Sequence, residues 1–350
     1  MANNGLARTG GSENFTYAMI EELVRLNHEV EYFTFSQGKD ENGVSQRIES
    51  LGVPFMRHKE YELILASGNN TVRHLSPFGF VIDTMHGVLP GVEEPSVFAD
   101  LYVSVSPYIR DYYMKRGFES RVIMNGINCR RFRPFEEEGK GLNKRLTTVL
   151  SLCQGDESNT FIAHCCKKIG VGFKKLDKYV ENKWDIENDI NDADLVVGIG
   201  RSLYDGMACG RTVISYDKRS YRDKGHEGDG YLTKDTILKS MYRNCTGTSA
   251  FNEAEFIAEL RKYNPADGND MRRIALETLN VEKTVQEYLH YFDEQRENSN
   301  AAPGLREMKG ELMTEYHKEL ERNTSYYENS KSWKITAPLR NMMKIARDLF

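Results

Sequence analysis

One stretch, residues 193–216 (ADLVVGIGRSLYDGMACGRTVISY), leaves few ways for this chain to fold. Leu195, Val196 and Val197 read as a fully buried strand that runs straight into Gly198, Ile199 and Gly200. A helix is expected from Ser202 to Cys209, Gly210 ends it, and residues 212–216 form the next strand. Such a turn aims backbone N–H groups and the positive end of a helix dipole past the carboxyl end of the strand, which suits a diphosphate. Arg201 stands beside that end and is placed to add a charge-assisted bond. The same letters also fit glycines that only permit a tight turn, with Ser202 and Asp205 as a variant capping box.

The rest of the chain repeats this alternation of strand and helix, the pattern of a parallel sheet covered by helices. Residues 12–25 read as a helix that Ser12 can cap, with Phe15, Met19, Ile20 and Leu23 on one face. Strands are expected at 29–36, 63–66, 80–82, 101–104 and 121–124, with a helix at 107–115. Only eight residues precede Thr9-Gly10-Gly11, too few and too polar for a central strand, so the first strand of this sheet is expected to be missing. The charged stretch EEEGKGLNK at 136–144 marks a boundary. Beyond it, strands are expected at 147–152, 173–176, 194–199 and 212–216, and helices near 159–169, 202–209, 233–243, 252–262 and 267–279.

A chain of 350 residues suits two cores better than one, and 39% hydrophobic residues can fill both. Lys and Arg number 47 against 52 Asp and Glu, a net charge of −5, which excludes the basic footprint of a nucleic-acid binder. No window approaches 18 consecutive apolar residues, and MANNGLARTGG has no signal-like apolar region, so a cytoplasmic chain is expected. The six cysteines form no CxxC pair, which predicts reduced, buried thiols and no structural metal at His164-Cys165-Cys166. Residues 297–350 read as a helical tail, apolar at Leu305, Met308, Leu312, Tyr316 and Leu320. Its last 20 residues carry five basic side chains against one Asp. That end suits an anionic membrane surface or a protein partner, and equally a helix packed back on the second domain, with Pro338 interrupting it.

Three segments resemble one family. YDGMACGRTVI (204–214) is similar to the "EAMACG-P-V-I" signature of the retaining GT-B glycosyltransferases of family 4. RVIMNGINCRRFRP (121–134) resembles the "VI-NGID--RF-P" segment before their interdomain crossing, and residues 9–30 resemble their first glycine loop and helix. SWKITAPLR (332–340) resembles a tail found on bacterial surface-polysaccharide glycosyltransferases. The resemblance spans roughly residues 5–290.

It implies an α/β fold of two Rossmann-like domains facing a cleft: residues 1–138 on the acceptor side, 145–296 on the nucleotide-sugar side, then the tail. It implies a hexosyltransferase that moves a sugar with retention from a nucleoside diphosphate sugar to a glycan or lipid-linked acceptor, with no cofactor and no metal. The metal-free reading follows from protein cations and helix dipoles neutralising the departing diphosphate. Carried over, Asp205 would hold donor ribose hydroxyls, while Gly198, Gly200, Arg201, Ser202 and Leu203 would cradle the diphosphate. Gly10 and Gly11 would approach it from the opposite wall. His86, in VIDTMHGVLP, stands where the family often places a histidine near the acceptor, with Asp83 and Glu94 as nearby acids.

The pattern is not complete. The family's first acidic position falls on Val197, and its basic pair is replaced by Ser151-Leu152-Cys153-Gln154-Gly155, leaving Lys167 and Lys168 as substitutes. A non-catalytic binding or scaffold subunit of a polysaccharide-assembly complex is therefore the alternative expectation. An isomerase or phosphorylase on the same fold is less favoured, since no motif offers a lysine for a pyridoxal cofactor.

Overall fold

The computed structural model of the chain describes residues 1–38, 43–89, 93–135, 139–176, 182–219 and 225–299. The chain divides into two compact units, residues 1–297 and 298–350. The helical tail and its basic end lie outside the described residues from position 300 onward.

The first unit contains two α/β lobes. The first lobe runs β1 (Ala2–Asn3), α1 (Gly11–Arg25), α2 (Val44–Ser50), β2 (Tyr61–Ser67), α3 (Asn69–Leu75), β3 (Gly79–Met85), β4 (Leu101–Ser104), α4 (Pro107–Met114) and β5 (Arg121–Val122). The second runs β6 (Thr148–Ser151), α5 (Asp156–Lys168), β7 (Gly172–Lys175), α6 (Ile186–Asn191), β8 (Leu195–Gly198), α7 (Arg201–Ala208), β9 (Thr212–Tyr216), β10 (Gly228–Leu232), α8 (Ile237–Met241), α9 (Glu253–Arg261) and α10 (Ala266–Thr278). A long final helix, α11 (Val281–Ser299), closes the described part of the chain. The strand orders are β1-β2-β3-β4-β5 and β10-β9-β8-β6-β7. All pairings are parallel except that of β10 with β9. The α/β fold of two Rossmann-like lobes is therefore as expected.

Strand periodicity explains why the second sheet is covered on both sides. Leu150, Val196 and Val213 face one cluster with Met207 and Met271, while Val149, Leu195 and Ile214 face another with Ile162 and Phe256. Successive side chains point to opposite faces, so a strand buried on both must be apolar throughout.

Three expectations need correction. First, residues 1–6 do carry a strand. Ala2 and Asn3 pair with Ala66 and Ser67 on one side, while the main chain of residues 1–3 bonds to Phe33 on the other. Ala2 is buried between Ala66 and Phe33, and the Asn3 amide donates to Thr16 Oγ1 at 3.1 Å, so its polar group is buried with a partner. Second, the strand expected over 29–36 is reduced to isolated pairings at Tyr32 and Phe33. Third, Ser12 does not cap α1. The helix begins a residue earlier behind an extended Gly10, and no side chain caps it.

The assignment of 145–296 to the second domain also omits a return. On α11, Val281, Val285, Tyr288 and Phe292 pack with Phe15, Ile82 and their neighbours in the first lobe. The Tyr288 hydroxyl lies 3.0 Å from Thr84 Oγ1. The two lobe crossings run side by side: Ile127 N donates to Leu279 O at 2.6 Å, and Val281 N to Ile127 O at 3.0 Å. Gly126 makes this approach feasible, because a Cβ there would fall 2.8 Å from Thr284 Oγ1 and 2.9 Å from Val281 Cα.

Candidate functional site

β8 delivers the glycine turn that the sequence singled out. Gly200 adopts φ +55, a left-handed conformation that favours glycine, and forms the N-cap of α7 with no side-chain cap. Ser202 and Asp205 do not form the capping box that the sequence allowed; both lie within the helix. Gly198 lets the first turn of α7 press on the strand end, since a Cβ there would stand 2.9 Å from Ser202 Cβ. Leu203 is fully buried in the lobe core, so its side chain does not reach the cleft.

The opposite wall is the start of α1. Thr9, Gly10, Gly11 and Asn14 line a slot whose other side is formed by Gln154, Arg201, Ser202 and Asp205. At the Thr9 end of this slot the lobes are joined, because Thr9 N and Oγ1 both donate to Asn182 Oδ1, at 2.9 and 2.8 Å. The Glu13 carboxylate folds back over Gly10, where a Cβ would meet Glu13 Oε2 at 2.2 Å. Gly11 has open space at its Cα.

Between the walls lie Arg201, Asp205 and His86. Arg201 is 8% exposed; its Nη1 donates to Gly126 O at 3.0 Å, and its Nε stands 3.6 Å from Asp205 Oδ1. Among the described residues, neither Arg201 Nε nor Asp205 Oδ1 has a hydrogen-bond partner. Burial pushes the Asp205 carboxyl up to about 6 against the pull of Arg201. His86 follows β3, with its Nε2 3.1 Å from Ser67 Oγ and its ring edge-on to Phe15. Burial lowers the imidazole to about 4, with the Arg201 charge adding to the effect. His86 is therefore neutral near pH 7, suited to orienting a hydroxyl and weak as a base.

From this floor the cleft opens to a cavity of about 620 Å³ that both lobes line. His86, Glu93 and Tyr108 belong to the first lobe, and Arg219, His226 and Arg243 to the second. Arg243 stacks over Tyr108 at 4.4 Å, and Tyr108 N donates to Tyr242 O at 3.0 Å, so the lobes also meet at this end.

The basic pair that the family places after β6 has no counterpart there, where the residues are Ser151-Leu152-Cys153-Gln154-Gly155. Lys167 and Lys168 do not substitute for it: both lie at the C-terminal end of α5, where Lys168 pairs with Glu253 on the surface. Lys183, Arg219 and Arg243 line the cleft instead. They come from three separate segments, and no spacing rule links them in the sequence. Val197 is buried in the sheet, and no acidic side chain stands at that place.

The acids nominated near His86 fare differently. Asp83 is 2% exposed and accepts from Ser96 N at 2.9 Å, which holds the following loop. Glu94 is exposed and does not line the cleft. Its neighbour Glu93 does line it.

No protein-family description matches the chain, and no curated protein matches it either. Solved structures do match; one is a crystal structure of UDP-N-acetylglucosamine 2-epimerase. It is 10% identical, with a TM-score of 0.48, and the match covers 87% of this chain and 98% of that one.

Proposed function

We propose that the chain binds a nucleoside diphosphate sugar in this cleft and transfers the sugar, with retention and without a metal, to a glycan or lipid-linked acceptor. The observation that carries this reading is the convergence of two glycine-led helix starts from opposite lobes, α1 and α7, on one slot with Arg201 between them. Helix N-termini and a buried cation stabilise the charge of a departing diphosphate. Asp205, a carboxylate that accepts no side-chain hydrogen bond among the described residues, suits the two hydroxyls of a ribose. The neutral imidazole of His86 would orient a sugar hydroxyl. Residues 300–350 would bring the protein to a membrane surface or an assembly partner.

The decisive experiment measures donor cleavage and transfer over a panel of uridine, guanosine and adenosine diphosphate sugars, with Asp205→Ala and Arg201→Ala beside the unaltered protein. The expected result is turnover of at least one donor, lost by roughly a hundredfold or more in both variants. Cleavage that survives both substitutions would show the site to be elsewhere. Tight nucleotide binding without turnover would favour the second reading, a non-catalytic binding subunit, which the apolar Val197 and the uncharged Ser151–Gly155 turn support.

A further inference from the structure

The first-lobe wall of the cavity holds a carboxylate whose position is fixed more firmly than its place in a loop would suggest. Glu93 Oε2 accepts from Leu89 N at 3.0 Å. Its backbone is anchored from below, where the buried Tyr113 hydroxyl donates to Glu93 O at 2.9 Å. The carboxyl group lies flat on Gly87, next to His86: a Cβ at Gly87 would fall 2.1 Å from Oε2 and 2.9 Å from Oε1. Among the described residues Oε1 accepts no hydrogen bond, and Glu93 lines the cavity. Tyr108 and Tyr112 supply aromatic surface on the same wall.

We infer that Glu93 is an acceptor-binding residue: Oε1 receives a hydroxyl of an uncharged, polyhydroxylated acceptor, a sugar ring seated between His86 and the two tyrosines. The inference rests on the proposed nucleotide-sugar reading and extends it from the donor to the acceptor. An ionised carboxylate with one oxygen held and one open makes a strong, directional acceptor for a hydroxyl, and aromatic surface beside it suits the apolar face of a sugar. Such a carboxylate repels a phosphate or carboxylate at the same spot, so the site selects against anionic acceptor groups there. Burial raises the Glu93 carboxyl, while the Leu89 N–H and the charge of Arg219 across the cleft favour its ionised form.

The full chain is tested by saturation-transfer NMR with p-nitrophenyl glucosides, galactosides and mannosides. Glu93→Gln removes the charge, and Gly87→Ala pushes the carboxylate aside while leaving it in the chain; circular dichroism and thermal unfolding confirm that each variant is folded. The unaltered protein is expected to contact at least one glycoside, each variant to weaken that contact roughly tenfold, and Lys168→Ala to leave it unchanged. Equal binding by the unaltered protein and both variants, or no glycoside contact by the unaltered protein, overturns the assignment. Uridine, guanosine and adenosine diphosphate binding is measured in parallel and is expected to be unaffected by Glu93→Gln. If no nucleotide binds, the nucleotide-sugar reading fails, while a Glu93-dependent glycoside contact would still stand.

Discussion

Asp83 is a buried acid beside the cleft, and its chemistry separates a supporting role from a reactive one. Its carboxyl sits 2% exposed on β3, accepts from Ser96 N at 2.9 Å, and is pushed by burial up to about 7. In the unfolded chain it would give up its proton near 3.8. The native state therefore holds its proton to higher pH than the unfolded state does, and stability falls as pH rises between those two values. From about pH 5 to about pH 8 the loss comes to roughly 2 to 3 kcal/mol, at about 1.36 kcal/mol per tenfold change in proton binding. Asp83→Asn keeps an oxygen for Ser96 N and removes the ionisation. Urea unfolding of both proteins at the two pH values should therefore show the variant gaining roughly 2 to 3 kcal/mol on the parent as pH rises. Parallel stability curves would refute the reasoning, and loss of sugar transfer in the folded variant would return Asp83 to the reactive groups.

Four further outcomes are expected. The His86 ring, assigned with His86→Gln, should show no titration in NMR until pH falls below about 5, and its contribution to stability, present above about 6.5, should be lost as pH falls toward about 4. Gly247→Ala should cost more than about 3 kcal/mol in urea unfolding, since φ is +73 and a Cβ would fall 2.1 Å from Gly228 C; Gly170→Ala, at φ +70 in open space, should cost only about 1 to 2. Equal losses at the two glycines would contradict the close approach. Lys168→Ala should leave nucleotide affinity unchanged in calorimetry, whereas Arg201→Ala should weaken it roughly tenfold or more. Deleting residues 331–350 should reduce co-sedimentation with anionic vesicles, and unchanged sedimentation would end the membrane proposal for that segment.

Much of the fold was legible because its strands are short apolar runs with little competition. Residues 101–104 and 212–216 were read at their observed limits for that reason. β10 was invisible: Gly228, Asp229 and Gly230 have no strand preference, and only pairing with β9 makes them extended. The opening strand was missed because a polar Asn3 argues against a central position until Thr16, thirteen residues on, supplies its partner. In the site, Gly200 and Arg201 were named from local pattern, Asp205 and His86 from the family resemblance, and all four line the cleft. Glu93 and Glu94 are indistinguishable in the letters; a tyrosine hydroxyl and one backbone N–H decide which of them faces inward. Arg219 and Arg243 were out of reach, since only tertiary folding brings them opposite His86.

The adjoining crossings at Ile127 and Asn280 make the second lobe an excursion from the first, which resumes its own construction at Val281. No single cut in the chain then yields two self-sufficient halves. A fragment that stops before α11 would bare the surfaces of Phe15 and Ile82 that Val285 and Phe292 now cover, and would be prone to clump. A working split version of the protein would have to give residues 281–297 back to the amino-terminal piece.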